Sequence, residues 1–530
     1  SRDMPVEDQL ILNGKTASRI SFDPRLETLV EAQILHSEAL GHQESQAWPL
    51  SLEGAMETAG RRNVRVAIEE FRTREAQEST QQAQSGLLPQ AEAAVQAFRI
   101  DKDRSKASLS LYPWKRTTGT ITVRQLIFDD QVLSRYLAAR YLEQGQDLEA
   151  RAIKLDVMAR AGEFYLQYLQ ARALERIERD NLDLTRENLR LARIRRRVGM
   201  SGPEDVYRWE TQVATQKGDL FAADSRVEKA RVALNQVLGE PQNTRWRAQE
   251  IHLQDQDLYF LGHRFRQILQ TASQVRKLRK YSVEVALGNA PELEAANQAI
   301  RAAEIELAHK ERRFYVPTLG ASFDYTRELS REDPELIFGP GETAPQVPPG
   351  MAGPDIGSEI NDLVSDRDRN EWRVALEMKL PLFQGGKRFH DVDRAQATLS
   401  RLRSQRTQAA QFLEQQVRSA VYDLQSSQPR IGLARRAADQ AARNLDLVQD
   451  KYARGAATII DLLDAQNQAL VQEQAATIAV YRYLQDLVRF QRAMAWFEFE
   501  KSEQDRQAWI QGFTRMKLPE EEPLTPDSVQ

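Results

Sequence analysis

Asp461 and Asp464 stand three residues apart, at the expected start of a helix and on one face of it, a spacing that suits two kinds of chemistry. Carboxylates in a first turn stabilise the positive end of the helix macrodipole, and the same pair gathered around a narrow entrance attracts cations. Few other residues offer chemistry. The chain has no Cys, which removes disulfides, thiolate metal sites, Cys nucleophiles and a Cys-borne lipid anchor. Its six His, at 36, 42, 252, 263, 309 and 390, have no ligand spacing, and its eight Met form no stripe, so no metal site is expected. There is no P-loop, no Gly-x-Ser-x-Gly, no Ser-x-x-Lys and no His-Glu-x-x-His, and Gly339-Pro340-Gly341 sits in a loop too irregular to cradle a phosphate. Neither a catalytic residue nor a cofactor is expected.

The elements that must position these carboxylates are unusually long. The 530 residues include only 25 Gly and 20 Pro, too little punctuation for several compact domains. The formal charge is −4, with 73 basic against 77 acidic residues and no basic block, which argues against a nucleic-acid surface. No run of 18 apolar residues is present, so no membrane-crossing helix is expected, although β-barrel strands escape that test. Ser1 is not followed by an apolar signal segment, so the chain reads as cytoplasmic or as a matured export product. No Pro occurs between Pro113 and Pro203. Read as one helix, residues 129 to 198 would span about 105 Å at 1.5 Å per residue, wider than a globular core. Residues 387 to 453 read likewise, apart from Pro429, which should kink or break the helix. Shorter helices are expected over 204–238 and from 461 to about 499.

An internal repeat organises the chain. Asn188, Leu189, Leu191, Gly199, Asp205, Gln212 and Gln216 recur at a constant offset of 256 as Asn444, Leu445, Leu447, Gly455, Asp461, Gln468 and Gln472. Upstream, Leu88-Pro89 matches Val316-Pro317. The expected organisation is an N-terminal extension over 1–50, a first repeat over 51–239, a connecting segment over 240–288, a second repeat over 289–497 and a tail over 498–530. Each repeat reads helix, strand, loop, strand, long helix, tight turn, helix. The turns fall at 198–203 and 453–459, and the strands near 90–100, 116–128, 317–327 and 371–382.

Those strands have one apolar and one polar face. Ile121 and Val123 alternate with Thr120, Thr122 and Arg124; Leu319, Phe323 and Tyr325 alternate with Ser322 and Asp324; Trp372, Val374, Leu376 and Met378 alternate with Arg373, Ala375 and Glu377. A soluble sheet with one wet face produces the same alternation. Tyr112, Trp114, Tyr325 and Trp372 sit near strand ends, where aromatic girdles of membrane barrels lie, and favour lipid against the apolar face. Four strands cannot close a barrel, so a barrel requires several copies of the chain.

These features resemble the TolC-type family of outer-membrane efflux proteins. The match is carried by Tyr452-Ala-Arg-Gly455-Ala-Ala-Thr458-Ile-Ile-Asp461-Leu-Leu-Asp464, by the Val198-Gly199-Met200 turn with Asp205 beyond it, by the two helix-ending prolines, and by Leu382-Phe383-Gln384-Gly385-Gly386. The resemblance implies a mixed α+β membrane protein. It would be a homotrimer whose twelve-stranded barrel, four strands from each subunit, lies in the lipid of a Gram-negative outer membrane. An antiparallel coiled-coil helical tunnel would continue it into the periplasm. A periplasmic adaptor and an inner-membrane transporter are the implied partners, in drug efflux or protein secretion.

Site roles come with the resemblance. Asp461 and Asp464 would form two acidic rings at the periplasmic constriction. Asp205 and Tyr452 would close the tip, and Val198, Gly199, Met200, Arg454, Gly455 and Ala456 would dock the adaptor. The family pattern has Arg where this chain has Ala457. Taken alone, Gly199 and Gly455 read equally as helix caps of positive φ. Two rivals remain at this level: a periplasmic coiled-coil adaptor or scaffold without a channel, for which two hairpins of equal status are unusual, and a soluble enzyme with a helical arm, for which no site is apparent.

Overall fold

The computed structural model describes residues 11–13, 33–35, 48–107, 113–251, 260, 263–332 and 368–516. Tyr112, Gly339-Pro340-Gly341, His36, His42 and His252 lie outside them. Short strands β1 (Ile11–Asn13), β2 (Gln33–Leu35) and β3 (Trp48–Leu50) precede α1 (Leu52–Arg62) and α2 (Val64–Ser85). Next come β4 (Gln90–Arg99), the short α3 (Lys102–Ala107), β5 (Lys115–Phe128), α4 (Asp130–Arg197) and α5 (Pro203–Leu238). Then follow β6 (Trp246–Ala248), α6 (His263–Gln270), α7 (Ala272–Asn289), α8 (Pro291–Arg312), β7 (Thr318–Glu332) and β8 (Asn370–Lys379). The last helices are α9 (Lys387–Ala453), α10 (Ile459–Ala493) and α11 (Glu503–Arg515). No described helix is long and apolar enough to cross a membrane, which says nothing of a barrel. The chain forms two compact units, one of residues 1–72, 147–295 and 406–530, the other of residues 73–146 and 296–405.

The second unit holds a four-stranded antiparallel sheet in the order β4-β5-β7-β8. Its register aligns Ala93, Ile121, Tyr325 and Trp372 in one cross-strand row, and Ala91, Val123, Phe323 and Val374 in the next. Facing residues of antiparallel strands share a face, so these rows, with Leu319 beside Met378 and Ala321 beside Leu376, make one side apolar. The other side is hydrogen-bonded. The Thr122 hydroxyl donates to Asp324 at 2.9 Å, the Arg373 guanidinium donates to the same carboxylate at 3.2 Å, and Arg116 pairs with Glu328 at 2.9 Å. A register shift between Leu126 and Phe128 leaves Ile127 as the extra residue of a bulge at the end of β5.

Below the sheet the Asp130 carboxylate, in the first turn of α4, accepts from Arg312 Nε at 2.7 Å and lies 2.7 Å from His309 Nδ1. These contacts join the end of α8 to the start of α4. Asp129 caps α4, its carboxylate accepting from the Gln131 amide at 2.7 Å. The helix then runs 68 residues, as its lack of Pro and wealth of Ala, Leu and Arg allow.

Two expectations are corrected. Of the kink or break expected at Pro429 it is the break that is overturned, since α9 runs through it for 67 residues. The proline removes one amide donor, and the helix continues on both sides of it. The last long helix stops at Ala493 rather than near 499. Ala495 takes φ +50°, and the Ala495 and Trp496 amides bond back to Arg492 and Gln491 at 2.9 and 3.0 Å. That paired bonding closes the helix with a non-glycine residue in the left-handed region, at a cost of about 1 to 2 kcal/mol. Burial of Trp496 and Phe497 in the main core of the first unit offsets it.

That core also gathers segments outside the repeats. Phe260 meets Phe265 and Trp509 edge-on at 4.9 and 5.2 Å between ring centroids, and α11 docks on α7 through Tyr281, whose hydroxyl donates to the Trp509 carbonyl at 3.0 Å. A second cluster lies where β3 pairs with β6 in parallel, and the buried Tyr165 hydroxyl sits 2.8 Å from both the Leu50 and Gln249 carbonyl oxygens.

Candidate functional site: the paired hairpin tips

The α4–α5 and α9–α10 hairpins turn in the same way. Gly199 has φ +77° and Gly455 φ +80°. The Gly199 and Met200 amides donate to the Arg196 and Arg195 carbonyls at 3.1 and 2.9 Å, and the Gly455 and Ala456 amides to Tyr452 and Lys451 at 3.0 and 2.8 Å. Both glycines therefore close a helix in the left-handed conformation that side chains disfavour. The turns lie side by side, for a Cβ added at Gly455 would sit 3.7 Å from the Met200 methyl. Val198 and Met200 are exposed large apolar residues, and Arg454, Gly455 and Ala456 are exposed beside them.

Helix α10 opens with a capping box. The Asp461 amide donates to the Thr458 hydroxyl at 3.2 Å, and the Asp461 carboxylate accepts from the Thr458 amide at 2.9 Å and its hydroxyl at 2.7 Å. The Thr458 hydroxyl bond, and then its amide bond, hold the Asp461 pKa below the ordinary carboxylate value. Asp461 is thus engaged in starting its own helix, whereas Asp464 is exposed one turn on.

Tyr452 links the two hairpins. Its ring is fully buried and its hydroxyl donates to Asp205 of α5 at 3.2 Å, bringing together two residues singled out in the sequence. Burial pushes the Tyr452 pKa up, so the hydroxyl remains a donor. Arg195 completes the contact, its guanidinium lying 4.1 Å from the Tyr452 ring centroid and donating to the Tyr452 carbonyl at 2.5 Å. Sequence reasoning missed Arg195. Its only signal was a basic last turn of α4, while Ala457 stood where the family pattern has Arg. A guanidinium does reach Tyr452, from Arg195 of α4.

Above the tip, Gln466 of α10 donates to the Asn181 carboxamide at 2.8 Å and the Thr185 hydroxyl at 2.5 Å, and accepts from Asn188 at 3.1 Å. All four side chains are buried, so this amide network fixes the pairing of α4 with α10. Elsewhere in the first unit a cleft of about 870 Å³ is lined by Asp156, Glu163, Glu292, Arg489 and Arg492. Arg492 donates to Asp156 at 2.7 Å and to Glu292 at 2.6 Å, and Arg489 to Glu163 at 2.6 Å, so these five charges are paired across the walls. No group of three metal-ligating side chains gathers among the described residues.

The family model described as outer membrane efflux protein matches residues 56–240 and 283–495. The outer membrane efflux protein BepC of Brucella suis biovar 1 (strain 1330) is 24% identical over 447 residues, covering 82% of this chain and 84% of BepC. The outer membrane protein TolC of Escherichia coli (strain K12) is 29% identical over 129 residues, 24% of this chain and 26% of its own. Among solved structures, the Campylobacter jejuni CmeC outer membrane channel superposes with a TM-score of 0.65 at 14% identity, covering 88% of this chain and 90% of CmeC. The outer membrane protein VceC of Vibrio cholerae superposes with a TM-score of 0.64 at 17% identity, covering 84% of this chain and 95% of VceC.

Proposed function

The chain belongs to the outer membrane efflux protein family, and from that premise we propose that three copies build one exit duct through the outer membrane and periplasm. Substrates pass along it from an inner-membrane transporter, with a periplasmic adaptor joining the two. The observation that carries this reading is the open sheet of the second unit. Its outer strands, β4 and β8, are each ten residues long and each has one edge with no partner strand among the described residues. Hydrocarbon tolerates no such edge, since every unpaired amide or carbonyl there costs several kcal/mol. Four strands cannot curl far enough to meet, and three copies supply twelve.

The faces sort accordingly. Ile121, Val123, Leu319, Phe323, Tyr325, Trp372, Val374, Leu376 and Met378 face lipid, and the Thr122–Asp324–Arg373 face lines the wet lumen. At the periplasmic end the Asp205–Tyr452 bond holds the tip closed, Asp464 with Asp461 forms the acidic entrance, and the exposed turns at 198–200 and 454–456 receive the adaptor. The two halves of the chain, related by the 256-residue offset, act as quasi-equivalent sixths of the wall. Mass measurement in mild detergent tests the assembly: three chain masses in a species that fractionates with outer membranes supports it. A stable, soluble monomer would end the reading.

A further inference from the structure

The apolar face of the sheet changes character toward the end away from the helices. The register carries it outward from the Ala93, Ile121, Tyr325 and Trp372 row to Val95, Gly119, Arg327 and Asn370, then to Ala97, Thr117 and Ser330, and last to Arg99, Lys115 and Glu332. A register shift that leaves Leu329 as the extra residue keeps Ser330 and Glu332 on this face. In the other direction the face ends on Phe128, Leu319 and Met378 and carries no charge among the described residues. Its charges therefore gather at one end, Arg99, Lys115 and Arg327 against Glu332 alone.

Glu332 is taken by Lys115, 2.7 Å away. Arg99 and Lys102, the first residue of α3, instead share Trp114, the guanidinium 5.0 Å and the ammonium 4.4 Å from its ring centroid. Among the described residues Arg99, Lys102 and Arg327 meet no carboxylate. The Asp101 carboxylate is turned to its own loop, where it accepts from the Asp103 and Arg104 amides at 2.9 and 3.2 Å, and exposed Asp103 stands beside exposed Arg104. One ring thus gathers two cations that repel each other, and a shared anion would relieve that repulsion. Heights along the face agree. Arg327 is four residues from Phe323, about 10 Å above the middle of the apolar band for tilted strands, while Arg99 and Lys115 are eight residues out, about 20 Å above it. A band about 25 Å tall ends near Arg327, and headgroups fill roughly the next 5 to 8 Å.

We propose that Arg99, Lys102 and Arg327 bind the phosphate groups of a phosphorylated glycolipid in the outer leaflet of the membrane, the leaflet away from the helices. The inference rests on the lipid-facing reading of this sheet above and adds the ligand. Arg99 and Arg327 stand on the lipid side, so the anion nearest them is a headgroup rather than a solute in the lumen. Guanidinium forks match phosphate oxygens two at a time, and the Lys102 ammonium adds a point charge. Two strand spacings and four residues separate Arg327 from Arg99, about 16 Å between backbones, which two long side chains narrow toward the span of a disaccharide phosphorylated at both ends.

The test uses the purified assembly in mild detergent with EDTA, so that no divalent cation bridges lipid to protein. Native mass spectrometry measures bound bisphosphoryl lipid A on the wild type, on the triple variant Arg99→Gln, Lys102→Gln, Arg327→Gln, and on a control, Arg208→Gln, Arg226→Gln, Lys229→Gln, which removes three exposed cations from α5. Wild type and control should bind alike and the triple variant at least about tenfold more weakly, since each Lys or Arg beside an anionic lipid contributes about fivefold. Lipid A stripped of both phosphates should bind all three forms at the weak level of the triple variant, and inorganic phosphate should not displace the intact lipid. If the triple variant binds as the wild type does, if the control falls equally, or if the stripped lipid binds the wild type as tightly, these cations hold no phosphate and the inference falls while the trimer stands. Displacement by inorganic phosphate would make this a site for the free anion and sink the lipid assignment. Should the triple variant not assemble, Lys102→Gln alone, outside the strands, should still lose about fivefold. If the wild type forms no trimer, the reading beneath fails first.

Discussion

Arginine placed on either side of the same strand pair measures which face meets lipid. Strand β8 has ten residues, about 33 Å at 3.3 Å each, and a tilt near 40° reduces that to about 25 Å, the height of a barrel's apolar band. Phe323 pairs with Val374, five residues from Lys379 and four from Asn370, and so sits near the middle of that band. Leu376 lies only three residues from Lys379, about 8 Å from the band's edge on the same geometry. Phe323→Arg should therefore cost about 2 to 4 kcal/mol per chain, and Leu376→Arg less, about 1 to 2 kcal/mol. Ala375→Arg, between Arg373 and Glu377 on the hydrogen-bonded face, should cost under about 1 kcal/mol. The larger loss is a factor of about 30 to 700 in the folding equilibrium, at tenfold per 1.4 kcal/mol. Urea titration of folding into lipid vesicles reads it, with gel mobility of the assembled form as a second probe. Equal losses at 323 and 375, or a greater loss at 375, would refute the assignment of faces.

Asp464→Ala should weaken cation selectivity and multivalent-cation block in planar bilayers more than Asp461→Ala, because Asp461 is engaged with Thr458; unchanged selectivity in an assembled double variant would leave both as helix-start residues only. Tyr452→Phe removes the hydroxyl bond to Asp205 but keeps the ring under Arg195, so it should cost about 0.5 to 1.5 kcal/mol and raise the open-channel fraction in single-channel records, while Arg195→Met should do so more strongly. The lowered Asp461 pKa gives a pH sign: the cap's contribution is present above the ordinary carboxylate pKa and is lost as pH falls through the depressed folded value. Thr458→Val should abolish that acid-dependent fraying of α10, read by amide exchange at residues 459–463. Gly455→Ala forces a side chain into φ +80°, and should cost about 1 to 2 kcal/mol without changing the number of chains in the assembly.

Much of this protein is legible along the chain because its signals are local. A Pro-free run rich in helix formers announces α4, glycines after basic last turns announce the hairpin ends, and alternation in 319–325 and 372–378 falls within β7 and β8. The repeat is local too, since it is a comparison of the sequence with itself. Pro429 misled because a helix held along its length by packing tolerates a missing donor that would end an isolated one. The stop at Ala493 was hidden because no local rule puts Ala at positive φ; burial of Trp496 and Phe497, decided by distant Phe260 and Trp509, determines it. The same holds for Arg195 on Tyr452, for Gln466 among Asn181, Thr185 and Asn188, and for α11 on α7. Each joins residues more than two hundred positions apart, where the stabilisation comes from burying a group with its partner, and no periodicity along a chain records which partner that is.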